Sequence, residues 1–97
     1  MKVAFLSKDI GGQSESVRTG LNLTVHAVEV AIFILDHELD PELTKDEEFQ
    51  VWLEVYLEEM EAPIYSNVKA NEKHGFQYMT MDEIGQTLGD FDIIVPF

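Results

Sequence analysis

The segment EVAIFILD, residues 29–36, is a continuous apolar run closed at each end by an acid. Three of its positions, Val30, Ile32 and Ile34, are β-branched. The run is too short for a buried helix, and it does not alternate as a half-buried strand would. It reads as a strand covered on both faces, the signature of a parallel sheet. Such a strand needs a helical layer on each side, which directs the chain toward an α/β/α sandwich.

The remaining elements fit that frame. Lys2 to Ser7 form a short apolar strand, followed by the turn-rich KDIGGQSES. In ESVRTGLNLTVHAVE, Val17, Leu21, Val25 and Val28 share one helical face. Leu21, Leu23, Val25 and Ala27 also alternate with period two, and Gly20 weakens a helix by about 1 kcal/mol, so residues alone leave helix and strand both open. HELDPELTKD reads as a polar loop ending in a capping box of Thr44 with Glu47. Phe49, Trp52, Leu53, Tyr56, Leu57 and Met60 then make the clearest amphipathic helix, with Pro63 beyond its end. PIYSNV reads as a strand, KANEKHG as a helical turn stopped by Gly75, and FQYMT as a further strand. Thr80 with Glu83 forms a second capping box for the helix MDEIGQTLG, and DFDIIVPF is a final strand. Strands alternate with helices throughout. The predicted fold is a three-layer α/β/α sandwich with a mainly parallel sheet of about five strands. At 97 residues it is read as one domain, residues 1–97.

Charge and composition remove several function classes. Six Lys and Arg against 19 Asp and Glu give a net charge of −13, which repels nucleic acid and anionic membranes. Trp52 and Tyr56, at helical spacing, are read as core, with a partner interface as their functional alternative. Cysteine is absent, which removes disulfides, thiolate nucleophiles and cysteine–metal sites. MKVAFLSKD is too short for a secretory apolar region, and nothing approaches the roughly 20 apolar residues of a membrane span. The expectation is a soluble, cytoplasmic protein.

No Gly-rich dinucleotide or triphosphate loop is present; Gly11 and Gly12 read as a turn after the first strand. His26 falls within the first helix and reads as a packing or surface residue. DHELDPE surrounds His37 with Asp36, Glu38, Asp40 and Glu42, but without a zinc-type helical spacing, and it reads as a solvated acidic loop. Neither a metal nor a cofactor is expected. Open α/β sheets bind ligands beyond the carboxyl ends of their strands. That edge carries Ser7, Lys8, Asp9, Asp36, His37, Ser66, Asn67 and Lys69, the candidate pocket. Arg18, the single arginine, is expected to pair with a carboxylate, with an anion contact as its alternative.

Three blocks, KVAFLSKDIGGQSESVRTGLNLTVHAVEVAIFILD, IYSNVKANEKHGF and MTMDEIGQTLGDFDIIVPF, together resemble the DsrE/DsrF-like family of small sulfur-relay proteins, which includes the Tus proteins. The first resembles that family's opening strand, its "ES-x-R-x-GL-x-L" helix and its second strand. The last resembles its closing helix and strand. The resemblance implies a helix, rather than a strand, over residues 15–27. Family members that carry sulfur place a cysteine just past the third strand, eight residues before a glycine. Gly75 takes the glycine position and Asn67 the cysteine position. A carboxamide cannot accept sulfur as a persulfide. The resemblance therefore implies a subunit without its own sulfur-carrying residue, in trimers or hexamers of itself or in hetero-oligomers with cysteine-bearing relatives. A small-ligand-binding module using the strand-end pocket is the alternative. An enzyme using a carboxylate or His37 is a third reading, disfavoured because no activated pair is visible.

Overall fold

A computed structural model describes residues 1–97. Five parallel strands form one sheet: β1 (Lys2–Ser7), β2 (Glu29–Ile34), β3 (Ile64–Ser66), β4 (Gln77–Tyr78) and β5 (Ile93–Pro96). Their order is β4-β3-β2-β1-β5, which puts the apolar run EVAIFILD at the centre. Val30 to Leu35 are all buried, so the unbroken hydrophobicity of this run follows from having a helical layer on each face.

The helices are α1 (Gln13–Val25), α2 (Pro41–Thr44), α3 (Glu47–Glu54) and α4 (Met81–Leu88). One sheet face presents Val3, Phe5, Val30, Ile32, Ile34 and Ile64 to α1 and α3, where Val17, Phe49, Leu53 and Tyr56 complete the main core. The opposite face carries Ala4, Ala31, Phe33 and Leu35 beneath Ile84 of α4, a much smaller cluster. The two faces are therefore unequally covered. No helix is long and apolar enough to cross a membrane.

Several local expectations hold. Residues 13–25 are helical, and Val17 is fully buried. Thr80 and Glu83 exchange reciprocal hydrogen bonds at the start of α4, and the bonds from Thr80 hold the Glu83 carboxyl below its usual range. A 3₁₀ segment, Lys69–His74, stops at Gly75 in the left-handed conformation, φ 86°.

Others need correction. Thr44 and Glu47 form no capping box. Thr44 closes the one-turn helix α2, donating its hydroxyl to the Pro41 carbonyl at 2.6 Å, while Asp46 caps α3 by accepting from the Phe49 N–H at 3.1 Å. The segment read as a loop thus contains α2, capped by Asp40 with Pro41 in its first turn. Val25 is 64% exposed, because α1 ends there and turns away from the sheet, and His26 is the residue that closes the helix rather than one inside it. The amphipathic helix also changes character. Residues Val55–Glu59 are π-helical, with the Met60 N–H donating to the Val55 carbonyl five residues back.

That widened turn keeps Tyr56 in the core. Tyr56 is completely buried, and its hydroxyl lies 3.2 Å from the Val30 carbonyl and 3.1 Å from the Pro63 carbonyl, to which it donates. Burial pushes its pKa far up, so it acts only as a neutral donor tying the helix to β2 and to the entry of β3. Trp52 is half-buried against the same core.

Gly20 explains its own presence in α1. A Cβ there would stand 3.0 Å from Ile32 Cδ1 and 3.4 Å from Tyr56 Cε1. Alanine would gain about 1 kcal/mol in helix propensity. Overpacking a filled core costs about 1–3 kcal/mol. Gly20→Ala is therefore expected to lower stability by about 1 kcal/mol in denaturant unfolding. A more stable variant would show that α1 does not approach β2 this tightly.

Candidate functional site

The carboxyl ends of β1, β2 and β3 bring the predicted residues to one edge of the sheet. Ser7 is buried at the end of β1, and its hydroxyl lies 3.3 Å from the Asp9 carbonyl. Lys8 and Asp9 follow it into solvent, and Lys69 opens the 3₁₀ segment, also exposed. Ser66, buried at the end of β3, accepts from the Val68 N–H at 3.1 Å. Arg18 lies away from this edge on the exposed side of α1, paired with Glu15 at 2.9 Å, as its carboxylate reading expected.

The loop from Asp36 to Asp40 dominates the edge, and side-chain amides hold it from three directions. Asn67 binds Asp36 twice. Its Oδ1 accepts from the Asp36 N–H at 2.8 Å, and its Nδ2 donates to Asp36 Oδ1 at 3.0 Å. Asn71 is completely buried. Its Oδ1 accepts from the Leu39 N–H at 2.8 Å, and its Nδ2 donates to the His37 carbonyl at 3.1 Å and to Ser66 Oγ at 3.0 Å. Gln13, buried at the start of α1, donates to the Glu38 carbonyl at 3.0 Å and accepts from the Asp40 N–H at 2.8 Å. The loop begins in a left-handed turn at Asp36, φ 68°, a conformation that Asp and Asn tolerate better than most residues other than glycine.

These bonds account for the backbone that leaves the sheet. Buried amides and carbonyls must find partners, and a loop lying over a sheet edge has no ladder to supply them. Asn and Gln are suited to this because each presents a donor and an acceptor. His37 contributes its carbonyl, while its side chain stays exposed, and no group of three or more His or acidic side chains is arranged to hold a metal ion.

The strand order reverses between β1 and β5, where open α/β sheets place their ligand crevice. Here Phe97 fills it. Its ring lies 5.0 Å from that of Phe5, its N–H donates to the Leu6 carbonyl at 2.8 Å, and a Cβ on Gly12 would stand 3.0 Å from its backbone. Gly12 is needed for this close approach, and Gly11 and Gly12 belong to the 3₁₀ turn Ile10–Gly12.

Two cavities lie elsewhere, and none of the eight predicted edge residues lines either. One, about 480 Å³, surrounds the opposite, amino-terminal ends of β2 and β3. The other, about 840 Å³, runs between the π-helical segment and the β3–β4 side of the sheet. His74 lines the latter; partial burial and then the neighbouring Lys73 lower its pKa, against an opposing effect of Glu38. Sequence reasoning missed Gln13 and Asn71. A buried amide in a polar segment carries no local signal, because its partners in the loop are 25 to 34 residues away in the chain.

No family model, curated protein or solved structure matches this chain.

The amides differ in what their loss exposes. Asn71→Ala strands the buried Leu39 N–H and is expected to cost about 3 kcal/mol. Asn67→Ala frees groups that water can reach and is expected to cost about 1 kcal/mol. Urea unfolding of both variants checks the order, and equal losses would contradict the distinction between a buried and an exposed amide.

Proposed function

We propose that this chain is a DsrE/F-like subunit that carries no sulfur itself and works by assembly, either with itself as a trimer or hexamer or with cysteine-bearing relatives. Support comes first from the architecture: an all-parallel, five-stranded α/β sheet is the frame that the resemblance implies. The observation that carries the reading is the use made of Asn67. At the position where the resemblance puts a persulfide-bearing cysteine, both ends of the carboxamide are spent on Asp36, one on its backbone and one on its carboxylate. A thiol offers one weak donor and one weak acceptor and could not replace that pair. The residue supports a left-handed turn rather than chemistry.

Its neighbours point the same way. Lys8 and Asp9 are exposed without an ion pair, the Ser66 hydroxyl accepts from Val68 and Asn71, and the strand-order crevice is occupied by Phe97. No base–nucleophile pair of the kind nucleophilic catalysis uses is assembled at this edge.

Light scattering coupled to size-exclusion chromatography tests the proposal. The expected result is a trimeric or hexameric mass for the chain alone, or a gain in mass when it is mixed with a cysteine-bearing DsrE/F-like protein. A monomer that stays a monomer in both experiments overturns it.

A further inference from the structure

The cavity at the amino-terminal ends of β2 and β3 has the size of a small-molecule site, about 480 Å³, and a mainly apolar lining. Its lining draws on both faces of the sheet: Val28, Val30, Met60 and Ala62 belong to the main core, and Ala31, Tyr65 and Phe91 to the smaller cluster, where the rings of Tyr65 and Phe91 pack against Phe33 at 5.2 and 5.9 Å. Two loops complete the walls, and each turns through a left-handed residue that is not glycine: Ala27, φ 64°, entering β2, and Glu61, φ 52°, before β3. Conformations of this kind cost about 1–2 kcal/mol each. Each residue closes the helix before it, the Val28 N–H donating to the Leu23 carbonyl and the Ala62 N–H to the Tyr56 carbonyl, both at 3.1 Å.

Charge selects among occupants. Lys2 and Glu29 are register partners on β1 and β2, yet they form no ion pair. The Lys2 ammonium instead lies over the Phe91 ring, 5.1 Å from its centroid. Glu29 and Glu61, both exposed, are thereby left at the cavity without a basic partner. An anion would meet two free carboxylates, an ammonium already engaged, and a chain of net charge −13. A cation with an apolar body meets two carboxylates and two aromatic rings, of which Phe91 already accommodates an ammonium of the chain itself.

We infer that this cavity is a binding site for a small organic cation, an ammonium group on an aromatic or alkyl body, with the body over Ala31 between Tyr65 and Phe91 and the charge toward Glu29 and Glu61. Lys2 is the internal competitor for the Phe91 face. The inference is independent of the assembly proposed above, since it concerns the other end of the strands and has its own readout.

Titration of the ¹⁵N-labelled protein with 2-phenylethylammonium, followed by amide chemical shifts, provides the test, with phenylacetate as the anion of similar shape. Saturable shifts confined to Ala27, Val28, Glu61 and Phe91 are expected with the cation. Phenylacetate is expected to bind about tenfold more weakly or worse, and Glu29→Gln with Glu61→Gln to weaken the cation about tenfold. Lys2→Met is expected to tighten it. Absence of saturable shifts overturns the site. Equal binding of both probes, or binding unchanged in the double variant, overturns the cationic assignment.

Discussion

Three carboxamides at the carboxyl edge of the sheet decide what that edge is. Gln13, Asn67 and Asn71 reach the loop 36–40 from α1, from the end of β3 and from the 3₁₀ segment, and bind its backbone at five consecutive residues. Each bond contributes about 0.5–1.5 kcal/mol net, but an unmade bond at a buried N–H costs more, so the set acts chiefly by leaving nothing unsatisfied. No buried side-chain nitrogen or oxygen in the molecule lacks a partner. The loop can therefore lie down over the strand ends, bury Leu39 in the main core and lead directly into α2.

The same arrangement gives the molecule its two unlike ends. At the carboxyl end, the side chains of Gln13, Ser66, Asn67 and Asn71 are consumed by structure, and Phe97 fills the strand-order crevice. At the amino-terminal end, the chain enters β2 and β3 after left-handed residues, and Glu29 and Glu61 stand without basic partners. An open α/β sheet ordinarily holds its ligand at the first of these ends. Here the cavity of about 480 Å³ lies at the second, while at the first the loop 36–40 lies over the strand ends. The unequal helical layers reinforce the contrast, because α4 alone covers the face on which Ala31, Tyr65 and Phe91 meet.

The fold was legible where one physical cause governs a stretch of chain. EVAIFILD has a single explanation, burial on both faces, and it lies at the sheet centre. Thr80 with Glu83 and the stop at Gly75 are local pairings whose partners are a few residues apart. Thr44 with Glu47 has the same spacing as the true capping box but is pre-empted. Pro41 starts a helical turn after Asp40, and Asp46 is nearer to the free N–H groups of α3. The π-helical turn at Val55–Glu59 is hidden because apolar spacing reports which residues face the core, not how many residues complete the turn.

The site was legible only in part. Strand ends follow from strand assignment, so Ser7, Asp36, Ser66 and Asn67 could be placed together. What they do there depends on Gln13 and Asn71, whose roles are set by contacts distant in sequence. The amino-terminal cavity had no sequence signal, since its lining comes from four separate stretches of the chain.

Native-state hydrogen exchange across residues 36–40 tests the clasp most directly. The N–H groups of Asp36, Leu39 and Asp40 each donate to a side-chain amide oxygen, whereas those of His37 and Glu38 have no acceptor. Slow exchange at Leu39 and Asp40, slowed exchange at Asp36 and fast exchange at His37 and Glu38 are the predicted pattern. Uniformly fast exchange through all five residues would contradict it and would return this edge of the sheet to the status of an open, mobile loop.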